Sequence, residues 1–532
     1  MTARSTVLSA IEKRAAHPEA LAPFALDTLR AQAPLNFPRD PHLPPSPKRR
    51  YQSTYQYPGP TNLTAEILDT GSAWEICCYL IDYRGLEPLL AAHVYAPSAK
   101  GQTPFHPVSM YLLSLYRHAH QLSRPAVLRR LQHPQDGQTL RACTGFRKTF
   151  PGESGLRDFE KRLTPQLQQE INAGLIDLLY HAGLLPVQPQ VATAVPLSFD
   201  GMLHDARARM RCSSVRAACY QAAPRTCPAH AKGKRGCDCA TDACAAHCRH
   251  ATPRDPEARL VVYSGDNKQR ADSGPNTSLK ATDQRSRVKR LVYGYYSYAG
   301  QLLDPTLATY WILPATFGTA TAKDAQLFPN NFAYLQERFP WLRISEVLAD
   351  AAAGERKCLD AIWNAGALRM VDIRADKSDA DPAACLARGY NAEGHPLCPH
   401  GYVLHSNGYD YDRRRTKWRC AHRCRHDPER PMPACPFLAD AYKHGYTATV
   451  GRAHADGTVR LARELPYNSP TWKQHYGQRN CAESRNSVLE RLRLKRMPVH
   501  GYDACHVTVC QGDFIANLRT LVRLIREATA RL

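Results

Sequence analysis

The sequence lacks any long hydrophobic run. No apolar stretch approaches the about 20 residues that a membrane-spanning helix needs, and the mean hydropathy is −0.46. The N-terminus carries Arg4, Glu12, Lys13 and Arg14 and has neither the apolar core nor the small-residue cleavage site of a secretory signal. These absences argue against membrane insertion and export, so we expect a cytoplasmic protein without a membrane partner.

Acidic residues are scarce relative to basic ones. The chain of 532 residues has 70 Lys plus Arg against 48 Asp plus Glu, which gives a formal charge of +22 and a pI near 9.3. Such an excess on a long chain favours a polyanionic partner, and nucleic acid is the leading candidate. The length also exceeds what one hydrophobic core usually serves, so we expect several domains.

Compact Cys-x-x-Cys pairs are missing from the later of two cysteine clusters, although the chain has 19 cysteines. An odd number of cysteines in clusters rich in His and Arg is typical of metal-binding thiolates in a reducing compartment. In this later cluster, four cysteines predict a tetrahedral Zn²⁺ site: Cys398, Cys420, Cys424 and Cys435. The alternative is a set of scattered thiols.

The earlier cluster holds ten Cys and His residues between Cys212 and His250, and our first choice of zinc ligands there is Cys237, Cys239, Cys244 and Cys248. The sequence does not select one combination of ligands. The remaining cysteines are interpreted as buried thiols without a metal: Cys77, Cys78, Cys143, Cys358, Cys481, Cys505 and Cys510.

The N-terminal part of the chain is predicted to be helical. We expect an N-terminal helix and Pro-rich arm over residues 1–62 and a helical DNA-binding domain over 63–189. Ser123 and Pro125 are typical of a helix start. The helix that follows presents Arg124, Arg129 and Arg130, as a DNA-reading helix would. Ordinary helical packing with surface arginines is the alternative.

Residues 190–532 change to short β-prone runs interrupted by one helix, which predicts an α/β domain with a mixed sheet and flanking helices. Long gaps in this domain place Cys-rich insertions at about 205–285 and 385–470. Asp200 closes the first predicted strand and Asp350 closes a later one. Carboxylates at strand ends are expected to point into one crevice.

A third acid lies in the pattern Tyr476, Arg479 and Glu483, whose steps of three and four place the side chains on one helical face. Three carboxylates can hold two Mg²⁺ or Mn²⁺ ions for phosphoryl transfer, because hard cations need oxygen ligands. Asp200, Asp350 and Glu483 are therefore the predicted metal ligands. Arg479 would orient the carboxylate or hold the phosphate, and Tyr476 would contact the DNA backbone.

These motifs resemble those of the DDE transposases of bacterial insertion sequences, in particular the branch with Tyr, two residues, Arg, three residues and Glu. The stretches Asp255–Arg259, Pro314–Asp324 and Leu348–Gly354 agree with that resemblance. The Lys that the branch carries seven residues after Glu is Glu490 here, with Arg491 beside it and Lys495 further on. The resemblance implies an RNase H-like core and DNA contacts by Arg491 and Lys495.

The resemblance also implies that the protein binds double-stranded DNA at the terminal inverted repeats of a mobile element, cleaves the strand there and joins it to a target. It further implies a homo-oligomer, a dimer in the synaptic complex, located at the prokaryotic nucleoid. The basic residues Arg413, Arg414 and Arg415 beside the later Cys cluster are further DNA contacts. Trp418 is a candidate for stacking on an exposed base, with simple packing as the alternative. Two rival functions remain: a zinc-dependent DNA-binding protein without catalysis, and a nuclease that does not join strands.

Overall fold

The computed structural model describes most of the chain, with gaps. The described residues are 18–31, 35–39, 50–95, 103–187, 193–208, 255–264, 289–372, 386–387, 389–391, 395–410, 415–420, 437, 445–450, 464–465 and 469–530. The predicted zinc ligands of the earlier cluster, Cys237, Cys239, Cys244 and Cys248, lie outside these residues. So do Cys424, Cys435, Arg413 and Arg414.

The helices are given in chain order: α1 (Leu26–Ala31), α2 (Ala65–Thr70), α3 (Ala73–Leu80), α4 (Leu86–Val94), α5 (Pro107–Ala119), α6 (Arg124–Gln132), α7 (Gln138–Thr144), α8 (Glu153–Arg162), α9 (Pro165–His181), α10 (Asp324–Arg338), α11 (Arg356–Asn364), α12 (Pro470–Tyr476), α13 (Asn480–Arg491) and α14 (Tyr502–Thr529). The prediction of a helical N-terminal part is confirmed. Ser123 caps α6 as predicted, because its side chain accepts a hydrogen bond from the backbone N–H of Ala126.

The strands are β1 (Leu35–Asn36), β2 (Ile81–Asp82), β3 (Val195–Asp205), β4 (Arg259–Ser264), β5 (Lys289–Asp304), β6 (Thr309–Ile312), β7 (Thr316–Thr319), β8 (Ile344–Ala349), β9 (Leu368–Val371), β10 (His405–Asp410), β11 (Arg415–Arg419) and β12 (Thr447–Val450). The predicted β-prone runs correspond to β3, β5, β6, β8 and β9, and the predicted interrupting helix is α10. Strands β4 and β7 were not predicted.

The chain forms two compact units. Unit 1 comprises Met1–Thr193, Gly201–Ala322 and Glu483–Leu532, and unit 2 comprises Ala194–Asp200 and Lys323–Ala482. Strand β3 passes from one unit to the other between Asp200 and Gly201.

The centre of unit 1 is helical. Every residue of α5 from Pro107 to Arg117 is buried, and α14 runs for 28 residues with a largely buried surface. The Tyr111 ring of α5 meets the Phe514 ring of α14 edge to face, with centroids 6.4 Å apart. The closing helix α14 therefore packs on the core of unit 1.

A long strand organises the sheet of unit 1. Strand β5 pairs antiparallel with β4, β6 and β7. Its partner β6 is tied to α14 by Asn517, whose side chain accepts a hydrogen bond from the N–H of Ile312 and donates one to the carbonyl of Ile312, both at 2.8 Å. The backbone N–H and carbonyl of Ile312 thereby both have hydrogen-bond partners, as buried backbone groups require.

Parallel strands form the sheet of unit 2. The first half of β3 pairs with β8, and β8 pairs with β9, both in parallel. Phe199 of β3 packs against Phe328 and Phe332 of α10, at centroid distances of 4.9 and 6.0 Å. A separate antiparallel sheet in the order β10-β11-β12 lies in the second predicted insertion. The chain is thus mixed α/β with a mixed multi-stranded sheet and many helices, which confirms the fold class at this coarse level.

The tyrosines of the Pro-rich arm pack on the helices of unit 1. Tyr55 is 5% exposed, and its hydroxyl accepts a hydrogen bond from the N–H of Tyr83. The Tyr57 hydroxyl donates to the carbonyl of Tyr79 at 2.9 Å. The described part of this segment is therefore part of the folded unit rather than an open spacer.

Candidate active site

Asp200 lies inside β3, and Asp350 directly follows the neighbouring parallel strand β8. Ser198 of β3 is the register partner of Leu348 of β8, so the two aspartates, each two residues further on, occupy equivalent positions on adjacent chain segments. Adjacent strands are separated by about 4.8 Å. The prediction that Asp200 closes the first strand is wrong, because β3 continues for five more residues to Asp205, whereas Asp350 directly follows β8 as predicted.

The two carboxylates have different local partners. An oxygen of Asp350 accepts a hydrogen bond from the N–H of Ala352 at 2.7 Å and thereby caps a short 3-10 helix, Ala351–Ala353. Asp200 Oδ1 lies 3.5 Å from Arg479 Nη2, and their side chains are only 15% and 17% exposed. Arg479 was expected to orient Glu483 or to hold the phosphate, and its ion-pair partner in the structure is instead Asp200.

Tyr476 is held close to the same acids. Its ring stacks on Trp472 at a centroid distance of 4.4 Å. Burial raises the pKa of Tyr476; the nearby Arg479 guanidinium opposes this shift, and the negative charges of Asp372 and Asp350 add to it. The tyrosine is consequently a neutral hydroxyl at physiological pH, suited to hydrogen bonding.

The helix that carries Tyr476 and Arg479 is not continuous. Helix α12 ends at Tyr476, a 3-10 turn covers Gly477–Arg479, and α13 begins at Asn480. Residues three apart eclipse each other in a 3-10 turn, so the expected common side of Tyr476 and Arg479 is retained although the predicted single α-helix is wrong.

Asp372 is a candidate that the sequence analysis did not select. It directly follows β9, and its N–H donates to the carbonyl of Ala349 at 3.2 Å. Since Ala349 and Val371 are register partners, Asp372 and Asp350 directly follow adjacent strands. The last β-prone run of the sequence, 367–373, includes Asp372 as its second-to-last residue, so the pattern does not mark Asp372 as an acid that closes a strand.

A buried acid secures α12 to the sheet of unit 2. Glu346 of β8 accepts a hydrogen bond from His475 at 2.7 Å, with the Glu346 side chain 6% exposed and the His475 side chain 37% exposed. Burial raises the pKa of Glu346, and His475 counteracts the shift. This contact fixes the residue immediately before Tyr476.

Glu483 belongs to unit 1, where it is exposed in the first turn of α13. Three residues later on that helix, the Asn486 side chain donates a hydrogen bond at 3.2 Å to the carbonyl of Gly201. Gly201 directly follows Asp200. A Cβ atom there would lie 1.8 Å from the Tyr296 hydroxyl, so a larger residue at this position requires the Tyr296 ring to move.

The rotation of α13 is fixed by a buried ion pair. Arg485 Nε donates to Asp513 Oδ1 at 2.8 Å, with side chains 0% and 1% exposed. The guanidinium also reaches Ser297, and Ser297 is 2.8 Å from His204 Nε2. Every member of this network has a polar partner, as a buried charge requires.

The predicted DNA contacts of α6 differ in their surroundings. Arg124 forms an ion pair at 2.6 Å with Glu160, whose side chain is 9% exposed. Arg129 is exposed, and the Arg130 guanidinium lies 5.7 Å from the centre of the Tyr116 ring. Arg124 is therefore engaged in helix packing, while Arg129 and Arg130 remain candidates for DNA contact.

The second insertion contains a small core around Trp418. This tryptophan is 4% exposed and packs with Leu404, and both Cys398 and Cys420 lie against them. Trp418 is not available to stack on a base as predicted, because β11 turns it inward and turns Lys417 and Arg419 outward. Packing, the stated alternative, is what the structure shows.

Cysteines elsewhere behave as predicted where they are described. The thiols of Cys77, Cys78, Cys143, Cys358, Cys505 and Cys510 are buried and free. Burial raises the pKa of each one for which a shift is resolved, including Cys358, to about 12. These residues are inert thiols rather than nucleophiles.

At the end of α13, Arg491 is exposed and Lys495 forms an ion pair with Glu490. Lys495 is thus paired with Glu490, the residue at the position where the transposase branch carries its lysine. Its charge is partly neutralised, which weakens Lys495 as a DNA contact relative to Arg491.

Within the described ranges, no group of three or more His, Cys, Asp or Glu side chains is arranged to hold a metal ion. In the same part of the chain, no helix is long and apolar enough to cross a bilayer. Comparison with known proteins found no matching protein family, no matching curated protein and no matching solved structure.

Proposed function

We propose that this protein is a DNA transposase of the DDE type, with an RNase H-like core, which cleaves and joins DNA by metal-dependent phosphoryl transfer. The observation that carries the proposal is the pair formed by Asp200 in β3 and Asp350 directly after the adjacent parallel strand β8, with Arg479 beside Asp200 and Tyr476 close to Asp350. Phosphoryl transfer uses acids that hold metal ions and a positive group that stabilises charge on the phosphate, and these residues include both.

The carboxylate pair suits Mg²⁺ or Mn²⁺. Mg²⁺ is usually held by one or two carboxylates, with water and substrate phosphates completing its shell, so these two aspartates are compatible with the absence of a three-acid cluster among the described residues. Bound ions would supply positive charge next to the scissile phosphate and lower the pKa of a coordinated water. Glu483, one helical turn after Arg479 in the sequence, is the proposed third ligand.

Arg479 has a defined task in this proposal. Its guanidinium is within 3.5 Å of Asp200 and would hold that carboxylate in place or contact a phosphate oxygen. The neutral Tyr476 hydroxyl would donate a hydrogen bond to the DNA backbone. In the cleavage step a water oxygen bonds to phosphorus, the bond from phosphorus to the 3′ oxygen breaks, and the freed 3′ hydroxyl takes up a proton.

The charge of +22 supports DNA as the partner. The proposed substrate is double-stranded DNA at the ends of a mobile element, bound by a homo-oligomer. Zn²⁺ is proposed for the second insertion, where Cys398 and Cys420 share one small core. In that role the metal would order a polar segment that cannot fold on hydrophobic burial alone.

Replacing Asp200 with Asn tests the proposal. We expect Mg²⁺-dependent cleavage of a DNA duplex to fall by at least about a hundredfold, because a neutral amide is a poor ligand for a hard cation, while DNA binding is retained. Asp158→Asn is the matched control, since Asp158 is exposed on α8 and pairs only with its neighbour Arg157. Unchanged cleavage by the Asp200→Asn protein would refute the assignment.

The products of cleavage separate the proposed transposase from its rivals. A duplex with a free 3′ hydroxyl, incubated with target DNA and Mg²⁺, should yield joined strands. Cleavage without joined strands would indicate a nuclease. DNA binding without cleavage by the unmodified protein would indicate a zinc-dependent binding protein.

A further inference from the structure

Two helix ends meet in unit 1. After α5, the N–H of Leu122 bonds to the carbonyl of Arg117, and after α13 the N–H of Leu494 bonds to the carbonyl of Leu489, as in Schellman motifs. Gln121 and Arg493 occupy the left-handed positions, with φ of 56° and 60°. The Gln121 side chain donates to the carbonyl of Arg491 at 2.7 Å, which joins the two ends.

Basic side chains from four elements gather around this junction. His120 directly follows α5, and its ring lies 4.1 Å from the ring of Tyr116. The Arg130 guanidinium of α6 lies 5.7 Å from the centre of the same tyrosine ring. Arg491 ends α13, and Arg519 lies on α14.

These groups are close enough to repel one another. Burial and the charge of Arg491 lower the pKa of Arg519. Burial and the charges of Arg130 and Arg519 lower the pKa of His120 to about 4. Like charges that depress each other's proton affinity mark a local excess of positive charge.

Neutralising acids are scarce at this place. Among the described residues, none of the ion pairs involves Arg491 or Arg519. The acid on which the charge of Arg130 acts is Glu75, whose pKa it lowers against the raising effect of burial. His120 Nε2 is buried and has no hydrogen-bond partner within the described part of the chain. A half-buried arginine without a carboxylate and an unsatisfied imidazole nitrogen together mark a place suited to an anion.

We propose that Arg130, His120, Arg491 and Arg519 form a binding site for a phosphate group of the DNA backbone. Guanidinium groups match phosphate geometry, and the fixed junction of α5 and α13 would hold them without reorganisation. Sequence reasoning had named Arg130 and Arg491 as separate DNA contacts; the structure places them in one cluster and adds His120 and Arg519. The inference rests on the proposed function only in taking DNA as the partner.

The test measures the salt dependence of DNA binding by the full-length protein. A fluorescent 30-base-pair duplex of arbitrary sequence is titrated by anisotropy at several KCl concentrations. Loss of one phosphate contact should reduce the slope of log K against log salt by about one. We expect this for Arg519→Gln and for Arg491→Gln, with the wild-type slope in Arg519→Lys and in the control Arg157→Gln.

A second measurement identifies the ligand at the site. Binding of the duplex should raise the pKa of His120, observed by NMR of labelled histidine, because an adjacent anion favours the protonated ring. An unchanged slope in both glutamine variants, with thermal stability like that of the wild type, overturns the proposal. A response of His120 to inorganic phosphate but not to the duplex also overturns it, since the site would then serve a free anion. Cleavage is not measured, so failure of the catalytic proposal leaves this result readable.

Discussion

Two Asp and Arg pairs in this protein have similar chemistry and opposite surroundings. Arg485 and Asp513 in unit 1 form a bidentate, fully buried pair at 2.8 and 2.9 Å. Arg479 and Asp200 in unit 2 are 3.5 Å apart and retain 17% and 15% of their exposure. The first pair satisfies both charges within the core, whereas the second leaves carboxylate oxygens accessible. Residue type alone therefore does not distinguish a structural ion pair from a candidate catalytic one.

The largest expected effect concerns the buried pair. Arg485→Met leaves Asp513 buried without its cation, and such a change costs about 3–5 kcal/mol of unfolding free energy. Chemical denaturation monitored by tryptophan fluorescence measures it. The double change Arg485→Met with Asp513→Leu should recover much of the loss. If the single variant unfolds like the wild type, the structural role of this pair is wrong.

The looser pair should show the reverse pattern. Arg479→Gln is expected to reduce Mg²⁺-dependent cleavage about 10- to 100-fold, as the loss of groups that orient metal ligands does. Its unfolding free energy should change by only about 1 kcal/mol. Arg479→Lys keeps the charge but loses the planar guanidinium fork. Its cleavage rate should therefore lie between those of the wild type and Arg479→Gln. Equal losses of stability in Arg479→Gln and Arg485→Met would remove the distinction.

The smallest effect concerns Glu346 and its dependence on pH. Burial raises the pKa of Glu346 above its ordinary value of 4.5, so the folded protein holds this proton more tightly than the unfolded chain. The resulting stabilisation is complete below the ordinary pKa and is lost as the pH rises through the raised value. As the pH rises from 4 to 6, the wild type should therefore lose stability in thermal unfolding, and Glu346→Gln should lose less.

Much of the strand pattern was predictable, and the reasons are local. The runs that became β3, β5 and β8 are rich in β-branched and aromatic residues, and Asp350 follows β8 as predicted, whereas Asp200 lies inside a longer β3 than the sequence indicated. Strand β7 has four residues and depends on pairing with β5, so its sequence carried little signal of its own. Short strands of this kind are set by tertiary partners rather than by propensity.

The details of the site were harder to predict because they depend on packing. The basic residues around Trp418 in the sequence indicated a side chain that could stack on a base. In the structure, β11 turns Trp418 into the core of the small sheet. Arg124 looked like a surface arginine, but it reaches Glu160 from a neighbouring helix. Distant partners decide these orientations, and no spacing in the sequence records them.

The glycine at position 201 sets a practical limit on engineering this molecule. Since any side chain there would have to displace the Tyr296 ring, a saturation library across β3 should divide into two classes. Substitutions of Asp200 should yield folded protein that fails only in cleavage, whereas substitutions of its neighbour should reduce soluble yield. A screen for expression and a screen for cutting would then disagree at position 200 and agree at position 201.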